Sequence, residues 1–252
     1  MSSKKLRQAQ MIMLELLIEF DRICQKYSIQ YWLDSGTLLG AVRNKGFLFW
    51  DDDIDITMTI EDYQNFCKVA KSELPKNMFL QNSDTDDSFP YDFSKIRSSK
   101  GKIVEKHEVG KDVNYNQGIF IDILPCLSIR NNLVHKYTYW STFVFIKLFS
   151  YGYLNIRYIR ELFISIGDKF HIGWEDDNTK VVRTGRLPSF YMNIDISSIF
   201  PLKKIFFEGL EFYVPNDCND YLKVYYGDNY MIPPPKNKRH THANKIEIYD
   251  TK

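Results

Sequence analysis

Hydrophobic positions recur at about helical spacing over residues 6 to 27, where Leu6, Met13, Leu17, Phe20 and Cys24 predict an amphipathic helix. IQYWLDSG then reads as a short strand ending at Gly36, and TLLGAVRNKG as one or two helical turns starting near Thr37 and stopping at Gly46. Over FLFWDDDIDITM the period changes to two. Ile54, Ile56 and Met58 alternate with Asp53, Asp55 and Thr57, the pattern of a half-buried strand, which places Asp51, Asp53 and Asp55 on one face. TIEDYQNFCKVAKSELP predicts a helix capped at Thr59 or Asp62, with Tyr63, Phe66, Ala70 and Leu74 on its apolar side and a proline after it. Strands are expected at 78–81, 91–97 and 117–124, separated by polar loops such as NSDTDDS and SSKGK. The aromatic-rich stretch 133–175 predicts an inserted helical segment. LPSFYMNIDISSIFPLKKIFFEGLEFYVP returns to strands and turns, and NDCNDYLKVYYGDNYMIPPPKNKRHTH reads as a helix running into a proline-rich loop. Helices alternating with strands in this order predict one continuous α+β domain over 1–252, with a mixed sheet flanked by helices.

Charge narrows the partners. Thirty-three basic against 32 acidic residues leave a formal charge of +1, which argues against a chain that holds nucleic acid by general attraction to its phosphates. An anionic ligand must be gripped locally. Cys24, Cys67, Cys126 and Cys218 are scattered without a CxxC pair, so reduced and mostly buried thiols are expected, not a zinc ribbon or a disulfide framework. The N-terminal apolar residues are interrupted by Glu15, Glu19 and Asp21, unlike a signal peptide, and a cytoplasmic location follows as the expectation. The most apolar stretch, 137–156, is broken by Lys147 and does not predict a membrane span. With Lys136, Arg157 and Arg160 on its flanks, residues 137–166 have two readings: peripheral contact with the inner face of the cytoplasmic membrane, or a helix packed on the core.

The acidic stretch carries the candidate chemistry. Two ionised carboxylates about 4 Å apart repel by roughly 4 kcal/mol at an effective dielectric near 20, so a cation is expected among Asp51, Asp53 and Asp55. A calcium loop fits only its opening positions: the sixth position, which requires Gly, is Ile56, and the twelfth, which requires Glu, is Asp62. A solvated acidic edge strand is the other structural alternative, and Trp50, Ile54 and Ile56 argue for a packed strand instead. The functional reading is a Mg²⁺ site, with Mn²⁺ as an alternative, for phosphoryl or nucleotidyl transfer. GIFIDILP offers Asp122 as a third ligand, or as the base that takes an acceptor's proton, because a buried aspartate without a local partner is costly. In DSGTLLGAVR, Gly36 permits close backbone approach, the helix start near Thr37 offers free N–H groups, and Arg43 could reach an anion. His107, His135 and His171 have no metal-ligand spacing with one another.

YWLDSGTLLGAVRNKGFLFWDDDIDI resembles the signature of the LicD family, bacterial phosphocholine transferases related to fukutin and fukutin-related protein. The resemblance continues through FSKIRSS, GIFIDILP and VPNDCNDYLKVYYGDNYMIPPPKNKRHTH, covering most of 10–125 and 205–242. It implies the nucleotidyltransferase fold shared with DNA polymerase beta. It implies transfer of a phospho-substituent, typically phosphocholine from CDP-choline, to a hydroxyl of a glycan such as teichoic acid, lipopolysaccharide or capsule, with a lipid-linked acceptor open. The implied metal ligands are Asp53 and Asp55 with Asp51 beside them, Asp122 is the third acidic position, and Gly36 and Thr37 form the nucleotide-phosphate loop. Arg43, Lys95, Arg97 and His240 fall in matching segments, with exposed loop and strand residues as the plain alternative for the last three. CDP-linked ribitol, glycerol or ethanolamine donors, true nucleotidyl transfer releasing pyrophosphate, and a non-catalytic glycan- or membrane-binding module stay open. An aromatic cage for choline has too many candidates to choose among, including Trp32, Trp50, Tyr91, Tyr115 and Trp140.

Overall fold

The computed structural model describes residues 3–91, 93–130, 179–183 and 191–249. The first helix, α1 (Ser3–Tyr27), buries Leu6, Ala9, Met13, Leu16, Leu17, Phe20, Ile23 and Cys24, a stripe of helical period. Fully burying one such side chain contributes about 1.5–3 kcal/mol, so this stripe and not local propensity holds the helix in place. A short strand, β1 (Trp32–Leu33), leads into α2 (Ser35–Asn44). Both ends of α2 lie earlier than Thr37 and Gly46, the expected signals. Asp34 caps the helix by accepting from Ser35 N–H, and Lys45 closes it in the left-handed conformation, its N–H donating to the Ala41 carbonyl and the Gly46 N–H to that of Gly40. Strand β2 (Asp55–Thr59) runs straight into α3 (Ile60–Glu73), and of the two expected caps it is Thr59 whose hydroxyl accepts from Asp62 N–H. The Phe20 ring lies 4.9 Å from Tyr31 and 4.8 Å from Phe66, locking α1 against α3.

Strands β3 (Met78–Gln81), β4 (Ser94–Glu105) and β5 (Gly118–Arg130) follow, the last two longer than their sequence signals. Then come β6 (Thr179–Arg183), β7 (Tyr191–Asp195), the single turn α4 (Ile196–Ile199), the hairpin β8 (Lys203–Phe207) and β9 (Leu210–Val214), α5 (Cys218–Tyr226) and β10 (Ala243–Ile248). Among the described residues one sheet has the path β1-β2-β5-β4-β10, with β3 also on β4, and β6 on β5 and β7; β8 and β9 pair with each other. The β2–β5 pair is parallel and the other pairs are antiparallel, so the sheet is mixed. This is an α+β fold: α1 packs on β4, β5 and β10, and α3 on β2, β3 and β5. With β1 on one side and β5 on the other, β2 is an interior strand, which removes the reading of the acidic segment as a solvated edge.

Along β4 and β5 the alternation is strict. Ile96, Ile121 and Ile123 are buried in the main core, while Lys95, Arg97 and Asp122, with the buried Phe120, take the intervening positions. All four cysteines are free, with Cys24 and Cys126 buried. Among the described residues no helix is long and apolar enough to cross a membrane. The helical insertion expected at 133–175, the membrane contact through 137–166 and Trp140 lie outside the described residues.

Candidate active site

The site begins at the joint between α2 and β2. Asp34 is fully buried and bonded on every side: Oδ1 accepts from Ser35 N–H (2.6 Å), Oδ2 accepts from the Thr57 hydroxyl, and its own N–H donates to Asp55 C=O (3.0 Å). Thr37 returns the contact, its hydroxyl oxygen accepting from Asp55 N–H at 2.9 Å. The first turn of α2 is therefore clamped to the first residue of β2. Gly36 is required for a steric reason, because a Cβ there would meet Asp51 Oδ2 at 2.8 Å.

The four aspartates before Ile56 have separate environments. Asp55 is the first residue of the strand, and Asp51 to Ile54 form the lead-in before it. Asp51 is fastened through its backbone, its C=O accepting from Gln10 Nε2 at 2.9 Å, while its buried Oδ2 finds no hydrogen-bond partner. Asp52, buried, accepts from the His242 and Ala243 backbone N–H groups at 2.9 and 2.8 Å and so ties the start of β10 to the site. Asp53 Oδ2 lies 3.3 Å from His242 Nε2. Asp55 stands in register with Asp122 on the parallel neighbour β5.

Asp122 has a partner that sequence alone did not supply. Lys95, opposite it on β4, is 2% exposed and brings Nζ within 2.7 Å of Asp122 Oδ1, an ion pair off hydrogen-bond alignment, with Glu105 at 3.8 Å on its other side. The same ammonium sits 3.4 Å from the centroid of the Phe120 ring. Arg97, also buried, donates to Gln81 Oε1 (2.6 Å) and Gly118 C=O (2.8 Å) and lies 4.7 Å from that ring centroid. Both basic residues are thus interior charges, not the exposed strand cations that their alternation allowed. Asp55, Asp122, Lys95 and Gln81 form one polar row across β2, β5, β4 and β3.

Burial raises the Asp51 and Asp53 carboxyls well above the usual carboxylate range, and mutual repulsion adds to it: Asp55 and Asp52 act on Asp51, and Asp55, Asp51, Asp122 and Asp52 on Asp53. Asp122 is raised by burial too, against the pull of Lys95 and Arg97. Burial likewise lowers Arg97 and Arg43. Hard oxygen donors that repel one another and are partly without hydrogen bonds fit a divalent cation in kind. Their oxygens are held apart here: among the described residues the histidine and carboxylate group whose ligating atoms all lie within 4.8 Å is Glu105, His107 and Glu108. Asp53 is turned to His242 and Asp122 to Lys95.

Around this centre the structure brings Gly36, Thr37, Asp51, Asp53, Asp55, Asp122 and Lys95 together, with Arg97 in the next row. Arg43 lies at the end of α2, where Nη2 donates to Tyr230 C=O while its buried Nε and Nη1 have no hydrogen-bond partner among the described residues. His240 is exposed, as is His242, and of the two it is His242 that meets the carboxylates, because Asp52 pins the backbone of residues 242 and 243. The sequence reading also missed Asp34, Asp52 and Glu105. Asp34 carried a signal, an acidic residue directly before Ser-Gly at a helix start; Asp52 acts on residues 242 and 243, far away in the chain, and Glu105 on Lys95 at the other end of the same strand.

Comparison with known proteins agrees with this geometry. Residues 28–143 match the family described as LicD/FKTN/FKRP, nucleotidyltransferase domain. The lipopolysaccharide cholinephosphotransferase LicD of Haemophilus influenzae is 27% identical across 98% of this chain and 100% of its own length. The human ribitol 5-phosphate transferase FKRP is 33% identical over 51 residues, 20% of this chain and 10% of its own. The family match spans α2, the aspartate lead-in, β2, β4 and β5, which are the elements that assemble the site, so residues 28–143 form a LicD-family domain.

Proposed function

We propose that this chain is a LicD-type phosphotransferase that moves a phospho-substituent, phosphocholine from CDP-choline, to a hydroxyl of a cell-surface glycan and releases CMP. The observation that carries the reading is the Asp55–Asp122 register on parallel strands beside the Gly36-Thr37 turn, in a chain similar from end to end to a cholinephosphotransferase. The same features support the nucleotidyltransferase fold shared with DNA polymerase beta. Asp53, Asp55 and Asp122, with Asp51, would hold Mg²⁺ or Mn²⁺, which when bound neutralises the donor diphosphate and the charge developing on the leaving oxygen.

The chain's own residues do the positioning. Thr37 and Asp34 fix the Asp55 backbone, so the carboxylate is presented in one place without reorganisation. Gly36 leaves room for Asp51 beside the turn. Lys95 balances Asp122, and Glu105 steadies Lys95 from behind. Arg43, with two guanidinium nitrogens lacking hydrogen-bond partners among the described residues, suits a donor phosphate oxygen. His242 limits the freedom of Asp53.

A panel of CDP-linked choline, ethanolamine, glycerol and ribitol donors, incubated with a glycan acceptor and Mg²⁺, tests the reading. CMP release with a phosphocholine-sized mass gain on the acceptor is expected. A nucleotide-sized gain with pyrophosphate release would overturn it in favour of nucleotidyl transfer, and no turnover with any donor would favour a binding module.

A further inference from the structure

The β3–β4 and β4–β5 loops gather an aromatic cluster beside the Lys95–Asp122 pair. The Phe89 centroid lies 5.1 Å from Tyr91, 6.1 Å from Phe93 and 5.9 Å from Tyr115, all edge-on. Tyr91 and Phe93 are 5.1 Å apart and only 30° from parallel. Phe89 is buried and forms the floor, while Tyr91, Phe93 and Tyr115 are half-exposed. The exposed His107 closes one side, Nε2 being 2.5 Å from the Tyr91 hydroxyl oxygen.

The surroundings are acidic. Glu105 and Glu108 lie behind the rings, and Asp84, Asp87 and Asp112 are exposed in the same two loops, with Asp86 bonded to Gln81 Nε2 and Asn116 N–H. Against them stand Lys111 and Lys106, and the Lys106 ammonium is engaged by Thr241 C=O and Oγ1 at 2.6 Å. A cation is therefore the favoured ligand. The Glu105–His107–Glu108 group has the spacing of a metal site, but its acceptors are already committed. Glu108 accepts from Tyr115 O–H (2.6 Å), Glu105 N–H (2.7 Å) and Gln117 Nε2 (2.9 Å), and Glu105 faces Lys95. A divalent ion would have to displace these donors. A quaternary ammonium needs none of those lone pairs, because it is held by ring faces and diffuse negative charge.

Location adds the last step. Lys95 Nζ is 5.5 Å from the Phe93 centroid and 2.7 Å from Asp122, so the rings begin within a short spacer of the candidate transfer site. The Lys95 charge is balanced by Asp122 and Glu105, which leaves the cluster net attractive to a second cation. Of the other aromatic candidates, Trp32 is buried and donates to Tyr221 Oη at 2.9 Å, and Trp50 is covered by the Arg239 guanidinium at 4.1 Å from its ring. We infer that Tyr91, Phe93 and Tyr115, backed by Glu105 and Glu108, form the subsite for the donor's trimethylammonium head group, an inference that rests on the transfer reading above.

The test has two readouts on the full chain, choline chloride titrated calorimetrically and steady-state CMP release from CDP-choline. Phe93→Leu and Tyr115→Leu are each expected to weaken choline binding and raise KM about tenfold with kcat within twofold. Asp55→Asn is expected to abolish CMP release and leave choline affinity intact, so that loss of transfer and loss of the subsite are told apart. Choline affinity and KM unchanged in both leucine variants would overturn the subsite, as would displacement of choline by Mn²⁺ in the Asp55→Asn background. Choline binding sensitive to Phe93→Leu in a wild-type protein that releases no CMP would uphold the subsite and sink the transfer reading.

Discussion

Asp55 and Asp122 face one another across the parallel β2–β5 pair, and Asp122 is in turn opposite Lys95 on β4. Two acidic groups and one basic group are thereby set in one row of the sheet. Asp55→Asn or Asp53→Asn is expected to reduce CMP release by at least about a hundredfold, the scale of losing one preorganised electrostatic contact, with an unchanged circular dichroism spectrum. Chelating the divalent ions should do the same to the wild type. Turnover near wild type in either variant removes the case for these carboxylates.

Lys95 and Asp122 are both shielded from water, so removing one partner strands the other. Lys95→Met is expected to cost about 3–5 kcal/mol in urea denaturation. Adding Asp122→Asn should recover a large part of that loss, since the uncompensated charge is gone. Additive losses in the double-mutant cycle would mean that the two groups do not interact.

Asp52 is expected to act on the site through β10 and not through chemistry. Asp52→Ala removes two charge-assisted hydrogen bonds and should lower stability by about 3 kcal/mol. Amide hydrogen exchange at His242 and Ala243 should accelerate well beyond that of β4. Unchanged exchange there would show that β10 is held by its ladder alone.

Glu208 gives a pH dependence whose sign is set. Its carboxyl is held below the usual glutamate range chiefly by the Arg7 hydrogen bonds, with the Phe47 N–H adding to them against burial. A depressed folded pKa stabilises at pH above the unfolded value of about 4.3 and is lost as pH falls through the lower folded value. Glu208→Gln is expected to cost about 1 kcal/mol at pH 7, a modest figure because Arg7 is half exposed. The gap to wild type should close as the pH drops below about 4 in thermal melts.

Much of this protein is legible locally. The α1 stripe, the Thr59 cap, the β3 run and the isoleucine alternation in β5 follow from periodicity and capping chemistry within a few residues. The aspartate lead-in was legible as chemistry but not as geometry: the alternation of Ile54, Ile56 and Met58 is real, yet pairing starts only at Asp55. His240 and His242 are alike to any local rule, and a hydrogen bond spanning 190 residues separates them. Lys95 and Arg97 read as ordinary strand cations until β5 supplies Asp122 and Phe120 beside them.

By itself the chain's order of residues determined which segments become helix or strand, that four aspartates lie within five positions, and where a glycine and a threonine begin a helix. Only the folded sheet decided which carboxylate meets which base, which histidine reaches Asp53, and that Tyr91, Phe93 and Tyr115 share a wall. The reason is range. Periodicity and capping are interactions between near neighbours in the chain, whereas burial of charge and cross-strand register depend on partners that only long-range pairing brings into contact.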